Sequence, residues 1–229
     1  MQHRRPAGVR VEFLYEDRDI IAVEKPEGLP VIAPEGSRTK TLYDLVTARI
    51  QRKNPRGRAA VVHRLDRDTS GIMIFAVHAG AKKALMDRWN ELVLERCYVA
   101  VAEGRFARDH GTFDTWLVEN RAGTVYEAAP GSPGALRSIT HWSVLASNGR
   151  YSLVFLSLET GRKHQIRAQL AAAGHPVAGD PKYGAGSDPI GRLCLHAALL
   201  GLEHPFTGER FSFESPPPDS FLRLAGVRA

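Results

Sequence analysis

An α+β fold built on a largely antiparallel or mixed sheet is predicted by three features of the sequence. Short strand-like stretches outnumber helical ones and come in runs, a pair near the N-terminus and a longer series after Cys97. The helical stretches do not alternate with them one for one, as a regular βαβ fold would require. No internal repeat or low-complexity linker divides the 229 residues, a length sufficient for one large core or two modest ones.

Residues 9–15 and 19–24 are expected to be strands around a turn at Glu16-Asp17-Arg18. Two prolines and a glycine in Lys25-Pro26-Glu27-Gly28-Leu29-Pro30 then end regular structure. Residues 41–51 predict an amphipathic helix with Leu42, Leu45, Val46 and Ile50 on one face, and Thr41 with Asp44 fits a capping box. Strands are expected at 60–62 and 71–77, and a helix at 81–92 with Ala81, Leu85, Trp89 and Leu92 on one stripe. Further strands follow at 98–102, 112–117, 139–146 and 151–158. Residues 120–137 hold Gly123, Pro130, Gly131, Pro133 and Gly134 without sustained periodicity, and read as exposed loops. Residues 162–173 predict a helix with Ile166, Leu170 and Ala173 inward, 174–187 a loop, 194–202 a short apolar helix or strand, and 210–214 a last strand.

Composition is that of an ordinary globular chain, 43% hydrophobic and 24% charged. Thirty-one Lys and Arg against 25 Asp and Glu leave a net charge of +6. A polyanionic partner is the natural reading of that excess, because cations bind phosphates by releasing condensed counterions; a merely basic soluble protein is the plainer alternative. Cys97 and Cys194 are too few and too separated for a disulfide framework or zinc knuckle, and their apolar neighbours make them small core residues. The start of the chain is polar, without the apolar core of a signal peptide, and no apolar run is long enough to span a bilayer. A cytoplasmic protein with no membrane partner is expected.

Two stretches concentrate chemistry. Residues 49–67 carry Arg49, Arg52, Lys53, Arg56, Arg58, Arg64 and Arg67, with Asp66 the sole acid. A run of charge is often only a solvated face. Here the acid lies in a loop between a strand and the Thr69-Ser70-Gly71 turn, where neighbouring cations favour its ionised form. An ionised carboxylate can serve as nucleophile or base on an electron-poor carbon. The second stretch, Thr160-Gly161-Arg162-Lys163-His164-Gln165-Ile166-Arg167, has Thr160 as an expected helix cap and puts Lys163 and Arg167 on one face. Backbone N–H groups and cations converging at a helix start suit phosphate oxygens, although ordinary basic residues on a surface helix would look similar.

Other chemistries fail on inspection. His63-Arg64-Leu65-Asp66 faintly resembles a kinase catalytic loop, yet no Gly-rich phosphate loop and no Asp-Phe-Gly accompany it. Residues 174–179 have the glycine spacing of a phosphate loop, but Asp180-Pro181 stand where Lys and Ser or Thr are needed. No serine-hydrolase elbow occurs, and the nine histidines show no metal-ligand spacing, so no metal is expected. Asp66 and Asp68, two apart in a turn, need not converge as a carboxylate pair.

The segment His63-Arg64-Leu65-Asp66-Arg67-Asp68-Thr69-Ser70-Gly71 closely resembles the catalytic signature of the RluA-type RNA pseudouridine synthases. The likeness is colinear from about Val11 to Pro218. It takes in residues 19–29, Tyr98 to Gly104, Thr160 to Arg167, Gly174 to Asp180 with Tyr183-Gly184, Leu193 to Ala197, and His204-Pro205. The sister RsuA-type branch usually has Gly where His63 stands. The resemblance implies a pseudouridine synthase fold: a long mixed, largely antiparallel sheet with flanking helices and a central catalytic cleft. It also implies isomerisation of specific uridines in ribosomal or transfer RNA, ribosomal favoured, by a monomer needing no cofactor. A non-catalytic RNA-binding or ribosome-assembly role is the alternative.

By the same resemblance Asp66 would attack the target nucleotide at the anomeric carbon or base ring, or abstract a sugar proton. Tyr98 would stack on the base, Arg167 would pair with Asp66, and Leu195 would form an apolar wall. Arg64 would fill the gap left as the nucleotide flips out of the RNA. His63, Arg162, Lys163, His164 and Gln165 complete the expected substrate contacts. The catalytic domain is expected over 11–220 between tails at 1–10 and 221–229, without a separate N-terminal RNA-binding domain. One departure is Arg96, where the family commonly has Lys two positions before the tyrosine. The 120–137 loop is a candidate contributor to substrate choice.

Overall fold

The computed structural model describes residues 10–33 and 36–227. The polar N-terminus over 1–9 and residues 228–229 of the expected C-terminal tail lie outside the described residues. Two compact units divide the chain, Met1–Leu94 with Leu202–Phe213 and Glu95–Gly201 with Glu214–Ala229.

The first unit is built on strands β1 (Glu12–Glu16), β2 (Ile20–Lys25), β3 (Ala60–Val61) and β4 (Ser70–Ala76). β2 pairs antiparallel with both β1 and β4, and the short β3 adds to β4. The β1–β2 turn forms where the sequence predicts it, because Asp17 Oδ1 accepts from the amides of Asp19 and Ile20, each at 2.7 Å. All seven residues of β4 are buried. A strand covered on both faces needs an unbroken apolar run such as Ile72-Met73-Ile74-Phe75-Ala76. Helix α1 (Leu42–Gln51) starts at the predicted capping box of Thr41 and Asp44 and buries Leu42, Val46 and Ile50. The helix expected at 81–92 breaks at Arg88 into α2 (Ala79–Asp87) and α3 (Trp89–Leu92). Its apolar stripe survives the break: Ala81, Leu85 and Leu92 are all buried.

The second unit carries most of β5 (Val93–Glu103), with β6 (His110–Glu119), β7 (Val125–Ala128), β8 (Leu136–Ser147) and β9 (Tyr151–Leu158). Antiparallel pairing runs in the order β5-β9-β8-β6-β7. The expected loop at 120–137 is therefore corrected, since it contains β7 and the first residues of β8. Asn120 makes the turn by accepting the Ala122 and Thr124 amides on its side chain. Only Val125 of β7 is buried while Tyr126 and Glu127 are exposed, too short a pattern to register in the sequence. Residues 194–202, left open between helix and strand, become β10 (Leu195–Glu203), and β11 (Arg210–Glu214) pairs with it.

Helix α4 (Gln165–Ala172) starts three residues later than predicted. Helix α5 (Asp219–Leu224) follows the Pro216-Pro217-Pro218 run, crossing the boundary expected at 220. Its Phe221 is wholly buried in the core of the second unit, among residues that include Val99, Val101, Leu153, Leu156, Leu170 and Leu195. Both cysteines are buried core residues, as expected, and burial pushes the Cys194 thiol up to about 12. Among the described residues no helix is long and apolar enough to cross a membrane.

Docking of α5 through one aromatic ring has a measurable consequence. Phe221→Ala is expected to cost about 3–5 kcal/mol in urea denaturation. A loss below about 1 kcal/mol would show that the segment does not belong to the core.

Candidate active site

In the first unit, the signature segment occupies the loop between β3 and β4. Leu65 is 5% exposed and anchors the loop, Asp66 is half-buried, and Arg64 and Arg67 are exposed. Alternation of anchor and cation thus turns Arg64 outward, available to a polyanion. The Asp66 carbonyl accepts the Thr69 amide at 3.2 Å, closing a turn that feeds into β4 at Ser70 and Gly71. Gly71 has φ of 114°, which a side chain would resist. His63 accepts the Ile74 amide on Nε2 at 3.0 Å and its ring lies 5.1 Å from that of Trp89. It pins the start of the loop to β4 and α3, a structural bond in addition to any contact with substrate.

Sequence reasoning gave no role to Lys25, the residue paired with Gly71 across β2 and β4. Its side chain is wholly buried and Nζ donates to the carbonyls of Arg67 at 2.7 Å and Pro26 at 2.9 Å. A buried ammonium is tolerated only with such acceptors. Lys25 therefore holds the loop one residue beyond Asp66. The readable signal was a lysine closing the strand that opens with the apolar run of residues 20–23, although its partner 42 positions away was not readable.

In the second unit, Tyr98 is half-buried on β5 opposite Leu156 of β9, and Leu195 is buried at the start of β10. Arg167 lies on α4, its side chain 11% exposed, and donates from Nε and Nη2 to the Asp180 carboxylate at 2.7 and 2.9 Å. The Tyr183 ring faces the same guanidinium, 4.8 Å from Cζ. Gly179 lets this segment lie against the Arg192 carbonyl, with which any side chain would collide. Asp180 and Tyr183 belong to a motif that sequence reading quoted without assigning either residue a role.

The stretch at 160–167 differs from its predicted form. Thr160 does not cap the helix: its hydroxyl donates to Gln165 Oε1 and accepts the Ile139 amide. His164 is the N-cap residue, in the left-handed region at φ 51°. With the helix beginning at Gln165, Lys163 and Arg167 do not share a helical face; Lys163 instead pairs with Glu119. Gln165 is 3% exposed, and Nε2 donates to the Ile139 carbonyl and the Thr140 hydroxyl while Oε1 accepts from Thr160 and the Arg162 amide. With both ends committed inside the protein, it ties α4 to β8 and leaves the set of substrate contacts. Arg162 is exposed, as a phosphate contact requires. Arg96 donates to the Glu159 carbonyl at 2.6 Å, and its guanidinium fills the space that a side chain at Gly161 would need.

One group of metal-ligand types occurs among the described residues, Asp17, Asp19 and His204. His204 Nδ1 accepts the Thr207 amide at 3.1 Å, so its proton resides on Nε2, which faces Asp17 at 3.1 Å. His78 behaves alike, Nδ1 accepting the Ala81 amide and Nε2 meeting Asp19 at 2.9 Å. A ring nitrogen carrying a proton has no lone pair for a metal. The group is a lock on the β1–β2 turn.

Similarity to known proteins extends over most of the chain. A family model described as RNA pseudouridylate synthase matches residues 19–172. The chain is 39% identical over 216 residues to an uncharacterized RNA pseudouridine synthase of Bacillus subtilis, YhcT, covering 93% of this chain and 71% of that protein. It is 37% identical over 237 residues to ribosomal large subunit pseudouridine synthase D of Neisseria meningitidis, covering 97% of this chain and 62% of the relative. Among solved structures, human RNA pseudouridylate synthase domain containing 4 superposes with a TM-score of 0.77 at 22% identity, over 95% of this chain and 94% of that one, a likeness of fold. Human RNA pseudouridylate synthase domain containing 1 gives 0.73 at 28% identity, over 94% and 87%.

Two outcomes follow from the first unit. Lys25→Met strands carbonyls that the ammonium now satisfies, at about 1–3 kcal/mol of local stability. Tryptic cleavage after Arg64 or Arg67 should then run about tenfold faster or more under native conditions; an unchanged rate would remove Lys25 from the support of the loop. The second outcome concerns acid. Hydrogen bonds from Lys53 and Arg49 pull Glu16 below its ordinary 4.5. Burial raises Asp19, but hydrogen bonds from His78 and Arg18 and the Arg18 charge work against it, and the carboxyl lies below its ordinary 3.8. Carboxylates lowered in the folded state stabilise it above their ordinary values and lose that contribution as pH falls through the lowered ones. The urea midpoint should therefore drop below pH 4.5, and less steeply in Glu16→Gln; identical slopes would reject the assignment.

Proposed function

The chain belongs to the RNA pseudouridylate synthase family, and from that premise we propose that it converts particular uridines of structured ribosomal RNA to pseudouridine with Asp66 as its catalytic carboxylate. Pseudouridine synthases are isomerases. The glycosidic bond from the ribose anomeric carbon to N1 breaks, the uracil rotates, and a bond to C5 forms, with the C5 proton lost and N1 left protonated. Atoms and redox state balance within the nucleotide, so the reaction calls for no cofactor or metal.

The observation that carries the reading is the Asp66 loop. Its anchor Leu65, the His63 bond to β4 and the Lys25 ammonium under Arg67 hold a half-buried carboxylate between two outward-facing arginines. Rigid support of this kind is what a catalytic group needs to meet a reacting atom in fixed geometry. Asp66 acts as nucleophile on the anomeric carbon or base ring, or as base on the sugar. Tyr98 stacks on the uracil, Arg167 contributes the fixed cation of the site, and Leu195 offers an apolar surface. Arg64 occupies the stack from which the nucleotide is flipped, where a guanidinium plane substitutes for a base. Arg162, Lys163 and His164 contact the RNA backbone.

Ribosomal RNA is favoured over transfer RNA because the Neisseria relative is named for the large ribosomal subunit. The excess of basic residues suits either RNA. We take the enzyme to work as a monomer in the cytoplasm.

Pseudouridine mapping by carbodiimide-dependent primer extension, on total RNA from strains with and without the gene, identifies the target. Asp66→Asn should reduce product to background while retaining RNA affinity within about threefold, because one buried-side carboxylate contributes little to phosphate binding. Wild-type product from Asp66→Asn would sink the proposed chemistry, and full rescue of a deletion strain by Asp66→Ala would favour an assembly role.

A further inference from the structure

We propose that Tyr183 is a positioning residue for Arg167, setting the plane of its guanidinium, an inference that rests on the reading of Arg167 as part of the catalytic machinery. Two orthogonal contacts define that plane. Asp180 takes the Nε–Nη2 edge with both carboxylate oxygens, fixing direction within the plane. The Tyr183 ring takes the face at 4.8 Å, fixing tilt. Both partners belong to one short 3-10 turn, Pro181–Tyr183, with Asp180 as its N-cap, where the Tyr183 amide bonds back to the Asp180 carbonyl at 3.1 Å. Residues three apart on such a turn lie on the same side, so this turn presents edge partner and face partner together.

The ring is itself held. Its hydroxyl accepts the Val125 amide at 3.0 Å and meets His164 Nδ1 at 2.7 Å, and the His164 ring stands edge-on at 5.6 Å. His164 is the one non-glycine residue with positive φ among the described residues. Unfavourable backbone retained at one place is kept by surrounding contacts, and the tyrosine hydroxyl is one of them. Val125 opens β7, and Lys182 donates to the Gly123 carbonyl in the preceding turn at 2.8 Å. Tyr183 thus links the β6–β7 hairpin to the guanidinium. Displacement of the hairpin by bound RNA would be felt at Arg167 through the Tyr183 side chain.

The test compares Tyr183→Leu, Tyr183→Phe and Arg167→Lys with wild type, using an in vitro transcript of the RNA mapped as target. In Tyr183→Leu the single-turnover rate per RNA-binding-competent molecule should fall about tenfold, with affinity for the transcript within twofold. Tyr183→Phe keeps the ring and should recover part of the loss. Combining Tyr183→Leu with Arg167→Lys should cost no more than Arg167→Lys alone. A second readout needs no substrate: the Arg167 Nε–H resonance, identified by its absence in Arg167→Lys, should exchange with solvent at least tenfold faster in Tyr183→Leu and at an intermediate rate in Tyr183→Phe. Wild-type rate and exchange in Tyr183→Leu with an inactive Arg167→Lys would overturn the positioning role and leave the reading of Arg167 intact. An active Arg167→Lys would overturn that reading and the inference with it. Parallel loss of affinity and rate, no better in Tyr183→Phe, would mark a merely structural residue and also overturn it.

Discussion

A buried ammonium organises the first unit. Lys25 ends a strand that opens with the buried apolar run of residues 20–23, and its own side chain is wholly buried. The carbonyls of Pro26 and Arg67 answer that need, so the loop after β3 must fold back onto the end of β2. Once Arg67 is held, the geometry of Asp66 follows from the chain: Leu65 is drawn into the core on one side and Thr69 closes the turn on the other. A charge that would be costly if left alone thereby becomes the reason that a surface loop is rigid.

The second unit solves a similar problem with different groups. Arg167 is almost covered, and the fully buried Asp180 supplies the compensating charge through two short bonds. Around this pair the polar groups are committed in sequence, Tyr183 to His164 and Val125, and Gln165 with Gln169 to the backbone and hydroxyls of β8. A helix that carries buried glutamines is confined to one seat on its sheet, because sliding would leave their amides unpaired. That seat decides which residues of the 160–167 stretch face outward. Arg162 does, Gln165 does not, and Lys163 has left the helix for Glu119.

Legibility in the sequence tracks distance along the chain. The capping box at Thr41 and Asp44, the Asp17 turn and the buried run of β4 were all readable, since the interacting residues are neighbours or the pattern repeats within one element. The candidate loop at 63–71 stood out for the same reason, nine residues carrying acid, flanking cations and closing turn together. Thr160 misled because its hydroxyl found Ile139 and Gln165 instead of a helix amide. β7 escaped notice because one buried residue in four makes no period, and α5 because three prolines before it looked like an ending.

By itself the sequence determined the class of fold, the family likeness and the candidate carboxylate, for those depend on local pattern and on motifs in fixed order. Tertiary structure alone decided what supports them. The Arg67 acceptor of Lys25, the Asp180 and Tyr183 contacts of Arg167, and the bond of Gln165 to Ile139 each join residues between 13 and 42 positions apart. Such pairings are chosen by which buried polar groups can satisfy one another when the chain is packed, and no local stretch of sequence carries that information.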